Sequence, residues 1–301
     1  QAPRCIQWIK TYQQSLFLMN NGEVYYCGIN SSNGMAGNGD TSSRAYTSRC
    51  TNNATTGWLG ETLPRSFNQT KIIKVDMPNV GQQANSTISC YALGADGSMW
   101  SWGYNAYGQL GLGQASPGTT SPYTAVTTPT RIPAVFFDNK KIVDFMCFGN
   151  DYTSVLAIDE DGDLWGWGAD YFGELGLGNT SWPQTSLTAS ETTAVAGSTG
   201  AIAYRPIPTR IPFDFKRYGG IKNMSYAHYS GAGQRFAMIL TNDGSLFGAG
   251  IFPKALTSLT LSINTANTFH VVNRWTRFLS TNSNARLVDN FWIVGDARAV
   301  N

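Results

Sequence analysis

Four copies of one short pattern run through the chain and restrict what it can fold into. They read Gly22-Glu23-Val24-Tyr25-Tyr26-Cys27-Gly28, Gly97-Ser98-Met99-Trp100-Ser101-Trp102-Gly103, Gly162-Asp163-Leu164-Trp165-Gly166-Trp167-Gly168 and Gly244-Ser245-Leu246-Phe247-Gly248-Ala249-Gly250. Each has an apolar residue two places after its first glycine, an aromatic one place later, and a closing glycine. The copies begin 75, 65 and 82 residues apart. Self-similarity at such intervals marks a repeat architecture, in which each repeat buries its hydrophobic face against a neighbour.

An apolar run precedes every copy: Ser15–Met19, Ile88–Leu93, Ser154–Ile158 and Phe236–Leu240. Between run and copy stands a polar turn ending in Asn-Gly or Asp-Gly. That is a hairpin signal, and a type I′ turn with positive φ at both central residues is the expected geometry. The second strand carries large groups on both faces, with Met99 on one side and Trp100 and Trp102 on the other. Such a strand must be covered on both sides. Further strands are expected upstream at Lys71–Val75, Lys140–Phe145 and Gly220–Met224. The pentapeptides Pro129–Pro133 and Pro208–Pro212 suit edge strands or links, because proline donates no ladder hydrogen bond. Each repeat thus holds enough strand for a four-stranded blade. The predicted fold is all-β, a β-propeller whose sheets pack between neighbours.

Glycine-rich stretches follow the hairpins. Gly103-Tyr104-Asn105-Ala106-Tyr107-Gly108-Gln109-Leu110-Gly111-Leu112-Gly113 matches residues 168–178 position by position; the first copy carries one inserted residue and the fourth loses the pattern. With its Asp-Gly turn and paired tryptophans, this run resembles the repeat of the regulator of chromosome condensation family. The resemblance spans about residues 1–250 and implies a β-propeller, usually of seven blades. It also implies two activities seen in that family, guanine nucleotide exchange on small GTPases and secreted protein inhibition. The spacings exceed the family's usual repeat, and Tyr152 stands where the family commonly has histidine. A single propeller domain over residues 1–301 is expected. Residues 251–301 would form a degenerate blade or closing segment, and residues 271–301 would hold a degenerate fifth repeat with Phe291–Gly295 as its strand.

Composition narrows the function. Charged residues are only 13% of the chain, and Lys+Arg 21 against Asp+Glu 19 leaves a net charge of +2. That balance suits an extracellular or virion-surface protein. No run of Lys or Arg offers the counterion-releasing stripe of a nucleic-acid binder, and no apolar stretch is long enough to insert in a membrane. Five cysteines and two histidines lack metal-ligand spacing, so neither metal nor cofactor is expected. Pairings Cys5–Cys50 and Cys90–Cys147 are open. Cys27, at the place of Trp102 and Trp167, is expected to be small and buried.

The surplus length lies between each glycine-rich stretch and the next upstream strand, in segments 39–64, 113–129 and 178–208. The repeat should bring all three out on one side, the usual place for a binding face. They carry Tyr46, Trp58, Tyr123 and Trp182 as candidate partner-binding aromatics, or as anchors that pin loops to the body. Asp159-Glu160-Asp161-Gly162-Asp163 has the look of a calcium loop, but Leu164 replaces the mid-loop glycine, so a hairpin turn is the preferred reading. The sequence therefore points to a non-enzymatic interaction and assembly module. Its partner would be a protein or surface glycan, and its setting a phage tail or cell surface.

Overall fold

A computed structural model describes residues 2–30, 33–78, 87–113, 125–149, 153–170, 173–178, 204–229, 234–253 and 269–278. They form four antiparallel sheets of four strands each. The first sheet contains β1 (Cys5–Lys10), β2 (Gln14–Met19), β3 (Val24–Gly28) and β4 (Arg44–Arg49). The second contains β5 (Ile72–Asp76), β6 (Ser89–Gly94), β7 (Met99–Tyr104) and β8 (Ala125–Arg131). In the third are β9 (Ile142–Phe148), β10 (Ser154–Asp159), β11 (Leu164–Ala169) and β12 (Tyr204–Arg210). The fourth holds β13 (Ile221–Tyr229), β14 (Gln234–Thr241), β15 (Leu246–Pro253) and β16 (Phe269–Phe278). Strands pair in chain order within every sheet, the meander of a propeller blade.

The chain forms two compact bodies. One takes Gln1–Ala169 and Tyr204–Arg210, and so holds the first three sheets; the other takes Asp170–Ala203 and Ile211–Asn301, with the fourth. The repeat motif builds the second and third strands of each sheet, and the proline-bearing β8 and β12 lie at sheet edges, as expected. Residues 269–278, within the stretch expected to hold a degenerate blade or closing segment, form the outer strand of the fourth sheet. Phe291–Gly295 lies outside the described residues.

The hairpins correct one expectation. Gly22, Gly97, Gly162 and Gly244 have φ of 82° to 88°, but the residues before them have no positive φ. The Gly22 N–H bonds the Met19 carbonyl and the Met19 N–H bonds the Glu23 carbonyl, both at 2.9 Å. This is a three-residue connection ending in a left-handed glycine, not a two-residue type I′ turn. Only the last place demands glycine.

The two-faced strand is confirmed. In the second sheet Trp100 pairs with Ala92 and Trp102 with Cys90, so each indole lies across from a small residue. Those four side chains join Leu16, Tyr26 and Met35 of the first repeat in one core. From the opposite face, Tyr91, Leu93 and Met99 join Phe145, Trp165 and Trp167 of the third sheet. Alternation along a strand thus splits β7 between two cores, which requires a neighbour on each side.

Candidate partner-binding surface

The glycine-rich stretches close the scaffold, and this removes most of the motif from any binding role. Asn30, Asn105 and Asp170 stand at equivalent places and are buried. Their side-chain oxygens accept the N–H groups of Ala36 (2.6 Å), Leu110 (3.0 Å) and Leu175 (3.1 Å), so one polar side chain holds each loop in shape. The next repeat then grips the loop. Trp102 Nε1 donates to the Met35 carbonyl at 2.9 Å, and Trp167 Nε1 to that of Gln109 at 3.1 Å. These tryptophans are core, as their periodicity implied.

In the fourth sheet the equivalent residue is Ala249, and the indole comes from another strand. Trp275 on β16 donates Nε1 to the Leu175 carbonyl at 3.1 Å. A Cβ added at Gly176 would lie 2.5 Å from this ring, as one at Gly37 or Gly111 would lie 2.7 or 2.8 Å from Trp102 or Trp167. Sequence reading missed this replacement. Its signal was Thr276-Arg277, which repeats the Thr-Arg ends of β8 and β12 and marks residues 269–278 as an outer strand. In the first sheet Cys27 occupies the same place and is half-buried rather than buried.

The loop aromatics separate. Tyr46 sits on the outer strand β4 and is 86% exposed. Trp58 is half-buried and packs on the core shared by the second and third sheets. Its loop is ordered by a Thr56–Thr62 bridge and by the Gly57 N–H on the Glu61 carbonyl at 2.7 Å. Tyr123 and Trp182 lie outside the described residues. The surplus segments also differ in origin. In the first repeat β4 begins five residues after Gly39, so the surplus is residues 50–66, after the outer strand. In the second and third it precedes β8 and β12. A loop before an outer strand and a loop after it join opposite ends of that strand.

Other candidates are absorbed by structure. One Asp159 oxygen accepts the N–H groups of Asp161 and Asp163, both at 2.9 Å, and the other accepts Trp165 Nε1 at 2.9 Å. Asp161 pairs with Lys140 and Asp163 with Arg210. The carboxylates are thus spent on closing the turn. Among the described residues no group of three or more His, Cys, Asp or Glu is placed to hold a metal ion. All five cysteines are free thiols, so neither Cys5–Cys50 nor Cys90–Cys147 forms. Burial pushes the Cys50 and Cys90 thiols far above their ordinary value, the reverse of what a nucleophile needs. A cavity of about 40 Å³ between the first two sheets is lined by Asn21, Glu23, Arg49, Cys50, Phe67 and Asn68. It is smaller than the roughly 300–1,000 Å³ of sites that enclose a small molecule, and the Glu23–Arg49 ion pair lies at it.

Four-stranded meanders, two-faced sheets and interlocked loops define the β-propeller class. Comparison with known proteins points to one repeat family. Residues 96–156 match the regulator of chromosome condensation (RCC1) repeat. The Ultraviolet-B receptor UVR8 of Arabidopsis thaliana is 30% identical over 57% of this chain and 41% of its own length. Protein RCC1 of Candida albicans is 27% identical over 36% of the chain and 22% of its own. A human probable E3 ubiquitin-protein ligase, HERC3, is 32% identical over 35% of the chain but only 9% of its own length. Among solved structures, human WBSCR16 aligns with a TM-score of 0.58 and 17% identity, over 92% of this chain and 52% of that one, which speaks to the fold. The chain thus carries a match to the RCC1 repeat within a β-propeller fold, and it spans less than half the length of these curated relatives.

Proposed function

We propose that the chain is a non-enzymatic interaction module that binds a protein partner. One observation carries this reading: the motif's tryptophans, asparagines and glycines are consumed by the scaffold, while Tyr46 projects from the outer strand at 86% exposure. Tyrosine offers large contact area at low entropic cost, which suits it to an interface. The raised thiols and the small pocket support a non-catalytic role. The match to HERC3 stops at 9% of that ligase, so it lends no support to ligase activity.

The low share of charged residues supports an extracellular or virion-surface setting and a place in a larger assembly, with a surface glycan as the second class of partner. Five free thiols weigh toward a reducing compartment. Genes for tail, capsid or surface proteins beside the chain's own gene are the expected finding; a wholly cytosolic neighbourhood overturns the surface setting.

The binding function is tested by presenting the chain to protein and glycan arrays and to small GTPases loaded with labelled GDP. Expected is protein binding that Tyr46→Ala weakens about tenfold, as for an interface anchor, with GDP release unchanged. Binding to glycans alone, or faster GDP release, overturns this reading.

A further inference from the structure

The first strands of the three sheets in the first body share a surface signature that the repeat motif does not include. Aligned on their hairpins, Arg4-Cys5-Ile6, Lys71-Ile72-Ile73 and Lys141-Ile142-Val143 are equivalent. Each opens with an exposed cation. Each closes with an exposed aliphatic side chain, Ile6 at 57%, Ile73 at 48% and Val143 at 54%. In all three the aliphatic residue is the one that strand pairing skips, a bulge that turns it out of the ladder.

The backbone beneath is fixed. The carbonyls of Arg4, Lys71 and Lys141 accept the N–H groups of Asn20 (2.9 Å), Ala95 (2.8 Å) and Glu160 (2.8 Å) from their own hairpin turns. The three places also adjoin one another. A Cβ at Gly22 would lie 3.0 Å from the Lys71 Cα, and one at Gly97 would lie 2.4 Å from the Lys141 Cβ. Each sheet's turn therefore lies against the next sheet's cation. Among the described residues none of the three cations is in a salt bridge, whereas nearby Lys74 and Lys140 are paired with Asp144 and Asp161. The carboxylates of the adjoining turns are engaged elsewhere: Glu160 accepts the Lys141 N–H at 3.2 Å, Asp96 accepts the Ser98 hydroxyl at 2.6 Å, Asp161 pairs with Lys140 and Glu23 with Arg49. The fourth sheet has Gly220-Ile221-Lys222 here, so the blade fold does not require the signature.

Single exposed aliphatic residues are ordinary, but three in register, each with an unpaired cation two places before it, form a patch. We propose that this ridge docks an acidic amphipathic segment of a partner polypeptide. Its apolar side chains rest on Ile6, Ile73 and Val143, and its carboxylates face Arg4, Lys71 and Lys141. The proposal rests on the chain being a protein-binding module, but not on Tyr46.

Binding of short fluorescent peptides to the full chain tests it. The probes are a Glu/Leu peptide, a Glu/Ser peptide and a Lys/Leu peptide, with anionic phospholipid vesicles and single-stranded DNA as competitors. The Glu/Leu peptide should bind, and the other two at least about tenfold more weakly. Lys71→Glu with Lys141→Glu should cost about tenfold and remove the salt dependence. Ile73→Ser with Val143→Ser should cost as much and leave it. These residues are exposed, so circular dichroism should report an intact fold, and Tyr46→Ala should change nothing. Affinity unmoved by both pair variants, or vesicles or DNA bound more tightly than the Glu/Leu peptide, overturns the ridge. If Tyr46→Ala abolishes protein binding while the ridge variants do nothing, the ridge alone fails. Absence of any protein binding removes both readings.

Discussion

Glycine and tryptophan meet at one point in successive repeats, and that contact sets how tightly the repeats lock. Gly111 has φ of 71°, and a Cβ there would lie 2.8 Å from Trp167 Nε1. Two costs coincide: a left-handed backbone that L-residues avoid, and a collision with a ring held by its own hydrogen bond. Gly60 has φ of 85° but nothing within 4 Å of the added carbon. Gly111→Ala should therefore lower stability by about 2–4 kcal/mol, and Gly60→Ala by about 1–2 kcal/mol. Urea unfolding of the two variants measures the difference, and equal losses would show that the ring yields freely.

Three of the four sheets are wedged by a short turn of 3₁₀ helix ahead of the first strand. Phe67, Phe137 and Phe215 come from turns Phe67–Gln69, Ala134–Phe137 and Phe215–Tyr218, and all are buried. Phe67 meets Trp100 and Trp102 edge-on at 5.3 and 5.9 Å, and Phe137 meets Trp165 and Trp167 at 5.7 Å each. Phe215 meets Phe247 at 5.4 Å and Trp275 at 5.6 Å, so the trio survives where the motif tryptophan is lost. Edge-to-face pairs add about 0.5–1.5 kcal/mol each to burial. Phe137→Ala should cost about 3–5 kcal/mol. Trp275→Phe, which keeps the ring but drops the bond to Leu175, should cost about 1–2 kcal/mol. Denaturant midpoints at unchanged slope are the readout. A loss on Trp275→Phe as large as on Phe137→Ala would mean that packing, not the hydrogen bond, dominates at Trp275. The trio was partly legible: phenylalanine precedes the first isoleucine of the strand by five residues in two repeats and by six in a third. It went unread because the turn lies outside the glycine-framed motif.

Across the molecule, packing sorts five chemically identical thiols into three classes. Cys5 is exposed, Cys27 is half-buried, and Cys50, Cys90 and Cys147 are buried. In native buffer a thiol reagent should modify Cys5 promptly and Cys27 more slowly. The other three should react only on unfolding, and prompt reaction of all five would contradict the close packing of the cores. The sequence by itself determined the strand order, the blade hairpins and the role of Trp102 and Trp167. Those follow from local spacing, which a hairpin and a two-faced strand translate directly into structure. Tertiary structure alone decided what depends on residues far apart in the chain. It fixed which end of an outer strand each surplus loop joins, that Trp58 packs on a core while Tyr46 projects, and that Trp275 fills the place left by Ala249. It also brought three basic–aliphatic pairs, each unremarkable in sequence, into one row, because only the packing of sheet on sheet sets them side by side.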